Sequence, residues 1–277
     1  MSNTQQRIIS ALIMALLVVI SVVVGKVPTL LLCLLVGVLC VDEILIHFSS
    51  LQRKDLSYKY IMGLFVLFFV LTNIVFQAKF SRSFFTIAAI FLNVFLIYYL
   101  FKIPLQDGFM KKSKSKSPGL LSILVILPLL SFGVHFETAY WREVLGVLLI
   151  VTFSMDTGAW FFGKNFGKRK LWPEVSPKKT IEGFAGGVMT SSLLGSMAWY
   201  VFFHDFLWYY SVIFALCGVF SQVGDLIQSK IKREFQIKDS SNLIPGHGGI
   251  YDRIDSLIFL SPFFVIVVKY LGRHLPL

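Results

Sequence analysis

Between Gly224 and Asp255 the chain reads GDLIQSKIKREFQIKDSSNLIPGHGGIYDRID, and nowhere else in its 277 residues do reactive side chains lie so close together. Asp225, Asp239, Asp252 and Asp255 alternate with Lys230, Lys232, Arg233, Lys238 and Arg253, and His247 stands among glycines. Carboxylates hold divalent cations, and lysines and arginines offset phosphate charge. Gly246-His247-Gly248-Gly249 adds a turn whose missing side chains let backbone N–H groups come close to an anion. A solvated loop would be as polar without needing those glycines. The combination predicts a metal-and-phosphate site.

Spacing sharpens the expectation. Gly224 to Arg233 continues the helical pattern of the apolar run before it, so Asp225, Ser229 and Lys232, at i, i+4 and i+7, line one face. Asp252 and Asp255 sit on adjacent turns where the next apolar run begins. A second basic element, Ser176-Pro177-Lys178-Lys179-Thr180-Ile181-Glu182-Gly183, presents Lys178, Lys179 and Thr180 from a turn, because Pro177 does not fit inside a helix. Two lysines and a hydroxyl at a helix start suit an oxyanion; a lysine pair alone would read as a topogenic loop. Gly158 to Lys164 mimics the glycine and lysine spacing of a P-loop. Asn165 stands where a Mg²⁺-binding Ser or Thr belongs and no strand precedes it, so this stretch reads as a membrane-helix end.

Ser229, Lys232-Arg233, Lys238-Asp239, Pro245, His247-Gly248-Gly249, Asp252-Arg253 and Asp255 follow the pattern S-x-x-K-R-x4-K-D-x5-P-x-H-G-G-x-x-D-R-x-D. It resembles the phosphatidate cytidylyltransferase (CDP-diacylglycerol synthase) family, as does the element SPKKT-x-EG. Asp156 opens DTGAWFFGK, similar to a further family segment D-T-x-A-x-x-x-G-K, with Trp160 where tyrosine is more usual. The resemblance implies transfer of the cytidylyl group of CTP to phosphatidate with release of pyrophosphate. It implies that Asp225 and Asp252 hold Mg²⁺, with a second cation left open, and that Ser229, Lys232, Lys178 and Lys179 contact phosphates. Thr180, Gly248 and Gly249 would join the phosphate contacts, and Lys238, Asp239, His247, Arg253 and Asp255 would complete the polar site. Since both substrates are polyanions, cations must offset their repulsion before one phosphate oxygen reaches the α-phosphorus of the other. No protein nucleophile is required.

The elements that must carry these residues are membrane helices. At 56% hydrophobic residues and mean hydropathy +0.75, with 15% charged, the chain lacks the polar surface of a soluble domain. About nine apolar runs are long enough to cross a bilayer, at 8–25, 27–47, 60–76, 84–101, 119–136, 144–163, 183–203, 207–227 and 256–272; the expected fold is all-α and polytopic. The first run lacks a small-x-small cleavage site and is read as an uncleaved span. Twenty of the 26 lysines and arginines fall in the N-terminal tail and the loops after even-numbered spans, which places those in the cytoplasm of a cell (inner) membrane protein and the active site on the same face. The net charge of +11 then reports orientation and anionic lipid, and argues against nucleic acid.

Lys102 to Pro118, with Lys111, Lys112, Lys114 and Lys116 among serines, reads as a flexible connector. It separates an N-terminal region, 1–118, from a catalytic region, 119–277. Carboxylates inside spans are costly; Asp42 and Glu43 are expected to pair with a loop lysine or arginine. Gly183, Gly187, Ser191 and Gly195 form a small-residue stripe for either an internal seam or a homodimer. Cys33, Cys40 and Cys217 show no metal or disulfide spacing. Competing readings are another lipid-phosphate nucleotidyl- or phosphotransferase, with a polyprenyl substrate for example, and an ion-coupled transporter. A transporter would spread its polar groups across the midplane.

Overall fold

The computed structural model describes residues 3–77, 79–117, 119–246 and 248–272. Ten α-helices and one short hairpin make up the regular structure among them. Seven helices are long and apolar enough to cross a membrane: Gln5–Val24, Lys26–Phe48, Leu56–Val75, Lys79–Lys102, Trp141–Phe166, Tyr209–Glu234 and Tyr251–Leu271. The expected count of nine is therefore not reached, for two local reasons. Run 119–136 breaks up, since its only α-helix, Ile123–Ser131, holds Pro128, which lacks an N–H and crowds the preceding turn, and one-turn 3₁₀ segments flank it. Run 183–203 does form one helix, but glycines, serines and a threonine dilute its apolar content.

The chain divides into two compact units, 1–134 with 231–254 and 135–230 with 255–277. In the first, α1 (Asn3–Val24) turns at Gly25, whose φ of 150° is open only to glycine, into α2 (Lys26–Glu43). There follow α3 (Leu56–Val70), α4 (Lys79–Lys102), α5 (Phe109–Lys116) and α6 (Ile123–Ser131). α2 packs against α1, α3 and α6, and α4 against α6. Cys40, Val41, Leu45, Phe65 and Phe69 form the core, while Leu12, Leu16, Val23 and Phe91 stand exposed on the outside. A surface as apolar as the interior is what hydrocarbon, not water, selects.

In the second unit, α7 (Trp141–Phe166) leads into β1 (Lys170–Trp172) and β2 (Ser176–Thr180), an antiparallel pair, then α8 (Ile181–Phe203). Most of α9 (Tyr209–Glu234) and of α10 (Tyr251–Leu271) completes it. α7 and α8 lie almost backbone to backbone: a methyl group added at Gly187 would stand 2.7 Å from the carbonyl oxygen of Met155, and one at Gly183 2.7 Å from that of Ala159. The small-residue stripe is thus an internal seam. Gly158 and Gly163 sit in the same seam within α7, which accounts for the glycines of the apparent P-loop.

Lys102 to Pro118 is not a plain connector, since α5 forms there. Glu234 at the end of α9 accepts hydrogen bonds from Met110 N at 2.8 Å, Lys111 N at 3.4 Å and Tyr99 Oη at 2.5 Å. The carboxylate caps the N–H groups that open α5, and this holds the basic segment in place.

Candidate functional site

Two polar clusters carry the sequence motifs, one in each unit. In the second unit, β2 delivers the lysines. Residues in a strand alternate sides, and accordingly Lys178 is exposed while Lys179 turns inward to place Nζ 2.5 Å from Asp225 Oδ2. Ser229, one turn along α9, donates its hydroxyl to Asp225 Oδ1 at 3.2 Å. Asp225 thus has a lysine on one oxygen and a hydroxyl on the other, and its side chain keeps 30% of its surface open. The two lysines do not form one wall, as a turn would have allowed. Thr180 serves as N-cap of α8, accepting from Gly183 N at 3.1 Å.

Glu182 pins the base of the hairpin. It accepts from Lys168 N at 3.1 Å, Arg169 N at 3.2 Å and Arg169 Nε at 3.1 Å. Its carboxyl is held down to about 2, first by its own backbone N–H, then by that of Lys168.

The first unit holds the glycine turn. Lys232 Nζ lies 2.8 Å from Asp252 Oδ1, while Asp252 Oδ2 accepts from Ser240 N at 2.7 Å and Gly249 N at 3.0 Å. Only 4% of the Asp252 side chain is exposed. Gly248 adopts φ +84°, and a Cβ there would stand 2.9 Å from Asp252 Oδ2, so glycine is required for both conformation and closeness. Gly249 is thereby bound to Asp252, and Gly248 packs against it while its carbonyl accepts from Ile244 N at 2.8 Å. Beside them opens a cavity of about 550 Å³ lined by Arg7, Lys238, Asp239, Asn242, Pro245 and Arg253, among others. Asp255 Oδ1 accepts from Ser256 N at 2.7 Å. His247 lies outside the described residues.

Beneath the turn, Glu43 was expected to meet a lysine or arginine. Its carboxylate instead accepts from Ser240 Oγ at 2.9 Å, Ser241 Oγ at 2.6 Å, Ile250 N at 2.8 Å and Tyr251 N at 3.0 Å. The last two are orphan donors at the head of α10, so the buried carboxylate is met by four hydrogen bonds and by no cation among the described residues. Asp42 does pair as expected, taking Arg53 Nη2 at 2.7 Å and Nε at 3.0 Å, with Tyr58 Oη at 2.5 Å. Periodicity had flagged Glu43 as costly, but Ser240, Ser241 and Arg7 carried no signal of their own.

Among the described residues no three His, Cys, Asp or Glu side chains gather as a metal cage. What the chain offers a cation is single carboxylates. That donor set fits Mg²⁺, which takes one or two carboxylates and completes its shell with phosphate oxygens and water. Asp225 is open to such an exchange; at Asp252 a cation would have to displace the Lys232 ammonium from Oδ1.

The fold defines a class first: a multi-pass helical membrane protein whose ionised side chains pair around helix ends and a glycine turn. Residues 5–271 match the model of the cytidylyltransferase family, and the chain belongs to that family. It is similar to the phosphatidate cytidylyltransferase of Bacillus subtilis (strain 168), 32% identical over 97% of this chain and 98% of that protein. The protein of the same name from Staphylococcus epidermidis (strain RP62A) is 45% identical over 46% of this chain and 49% of its own length. That of Staphylococcus aureus (strain COL) is 43% identical over 50% of each.

Proposed function

We propose that the chain joins CTP to phosphatidate, forming CDP-diacylglycerol and pyrophosphate, at the cytoplasmic face of the cell membrane. A phosphate oxygen of phosphatidate bonds to the α-phosphorus of CTP, and the bond from that phosphorus to the β-phosphate bridging oxygen breaks. The lipid phosphate is already an anion at neutral pH, so the chain's task is to place it and offset charge. Lys179 and Lys232 contact phosphate oxygens, Ser229 donates a hydroxyl, Lys178 adds positive charge from the exposed side of β2, and Lys238 and Arg253 hold further phosphate charge. Asp225, and Asp252 within its own unit, would each offer a carboxylate to Mg²⁺, which when bound would polarise phosphoryl oxygens and neutralise charge on the departing pyrophosphate.

The observation that carries this reading is the half-open Lys179–Asp225 pair with Ser229 beside it. A cation and a carboxylate held 2.5 Å apart on separate elements are poised to part around a metal-bound phosphate. Purified protein incubated with labelled CTP, phosphatidate and Mg²⁺ should yield a labelled lipid and pyrophosphate. Label that stays wholly in the aqueous phase would sink the reading.

A further inference from the structure

The cavity beside the glycine turn has a wall that belongs to no motif. Arg7, on the first turns of α1, lines it, and its Nε donates to Gly246 O at 2.7 Å. Ser10, one turn on, reaches Pro245 O at 3.4 Å. These contacts join the head of the first helix to a loop almost 240 residues away, and bring Arg7 to the same cavity as Lys238 and Arg253. Among the described residues the lining carries three cations and one carboxylate, Asp239. All three cations are exposed, so water screens their repulsion, and the local excess of positive charge draws an anion into the space.

The Gly246 bond engages one of the five donors of a guanidinium, and the planar fork that remains matches phosphate oxygens. At about 550 Å³ the cavity is within the roughly 300–1,000 Å³ of small-molecule sites. Its lining is largely polar: Asn242 and Asp239 supply amide and carboxylate groups, and among the described residues Ile244 and Pro245 are its apolar side chains. That suits a nucleotide, which carries several phosphates and an edge of hydrogen-bonding groups. It does not suit a lipid phosphate, which brings acyl chains with it.

We propose that Arg7 is a nucleotide-binding residue: it closes a pocket with Lys238 and Arg253 around the phosphates of a nucleoside triphosphate, so that the first helix is part of the binding site. The proposal rests on the reading of the chain as a CTP-using enzyme, and deepens it by assigning a substrate to this pocket. Arg7 on α1, Lys238 in the loop after α9 and Arg253 in the first turn of α10 thus come to the pocket from three separate elements.

The test uses the full-length protein in nanodiscs. Arg7→Ala should raise KM for CTP by about tenfold or more, as expected for losing a charge-assisted contact, and leave KM for phosphatidate within about twofold. Arg7→Lys should recover part of the loss, and Lys54→Ala, at an exposed lysine outside the cavity, should behave as the parent. Titration with CTP alone and with inorganic triphosphate separates binding from turnover, and both should weaken in Arg7→Ala. If KM for phosphatidate moves and that for CTP does not, the pocket takes the lipid phosphate and the proposal is wrong. A lower thermal midpoint with unchanged CTP binding would make Arg7 a clasp for Gly246 only, and would equally overturn it. Arg7-dependent CTP binding by a protein that makes no CDP-diacylglycerol would leave the pocket standing and remove the enzymatic reading instead.

Discussion

Asp225 and Asp252 are the same residue type, each facing a lysine, yet their surroundings differ. Asp225 keeps 30% of its side chain exposed and has Lys179 and Ser229 for partners, on a short strand and on its own helix. Asp252 keeps 4% and is held by Lys232, Ser240 N and Gly249 N, two of them in the loop it anchors. One carboxylate can exchange its partners without disturbing the backbone, whereas the other is part of what shapes the backbone. A motif that records both as aspartate hides that division.

Neutralising each in turn gives the sharpest test. Asp225→Asn should lower turnover by about 10²-fold or more, since charge stabilisation at the transferring phosphorus is usually the largest catalytic term, while the thermal midpoint holds. Asp252→Asn should lose as much activity and stability besides. It leaves Lys232 buried without its carboxylate, and breaking a buried pair costs about 3–5 kcal/mol. Equal midpoints for the two variants would erase the distinction between an open and a closed carboxylate.

A smaller effect separates the two strand lysines. Lys179→Ala removes the cation facing Asp225 and should cut kcat/KM by about 10- to 100-fold, the range for a hydrogen bond to a charged group. Lys178→Ala, on the exposed side of β2, should cost less than about threefold. Equal losses would mean that both act through surface potential on anionic lipid. The smallest effect belongs to α5. Lys112→Ala should change neither activity nor stability. Lys114→Ala should cost stability alone, about 0.5–1 kcal/mol, because its ammonium lies 5.7 Å from the Phe235 ring centre.

Local periodicity reached as far as one element at a time. The i, i+4, i+7 stripe placed Asp225, Ser229 and Lys232 on one continuous helix, and α9 does run unbroken through all three. The last span, read from 256, starts five residues earlier at Tyr251, while the P-loop was rejected on Asn165 and the missing strand, and α7 runs as one helix through it. The hairpin was not readable, because a three-residue strand has too few positions to show a period of two. α5 was missed because its helix is held by a carboxylate in α9, more than a hundred residues along the chain. The partners of Glu43 were hidden likewise, since serines and backbone N–H groups in a polar loop carry no trace of what they bind.

Glu43 also sets a problem of timing. Its hydroxyl partners lie 197 and 198 residues further along the chain. A ribosome adding roughly 5–20 residues per second needs about 10–40 s to supply them. Throughout that interval the second membrane helix carries a carboxylate with none of its eventual donors, in surroundings that penalise an unpaired charge. The helix must keep that end at the water interface until the C-terminal loop arrives. Assembly of the glycine turn is therefore a late event in biogenesis, and chains cut short before Ser240 would keep the Glu43 carboxylate without these four donors.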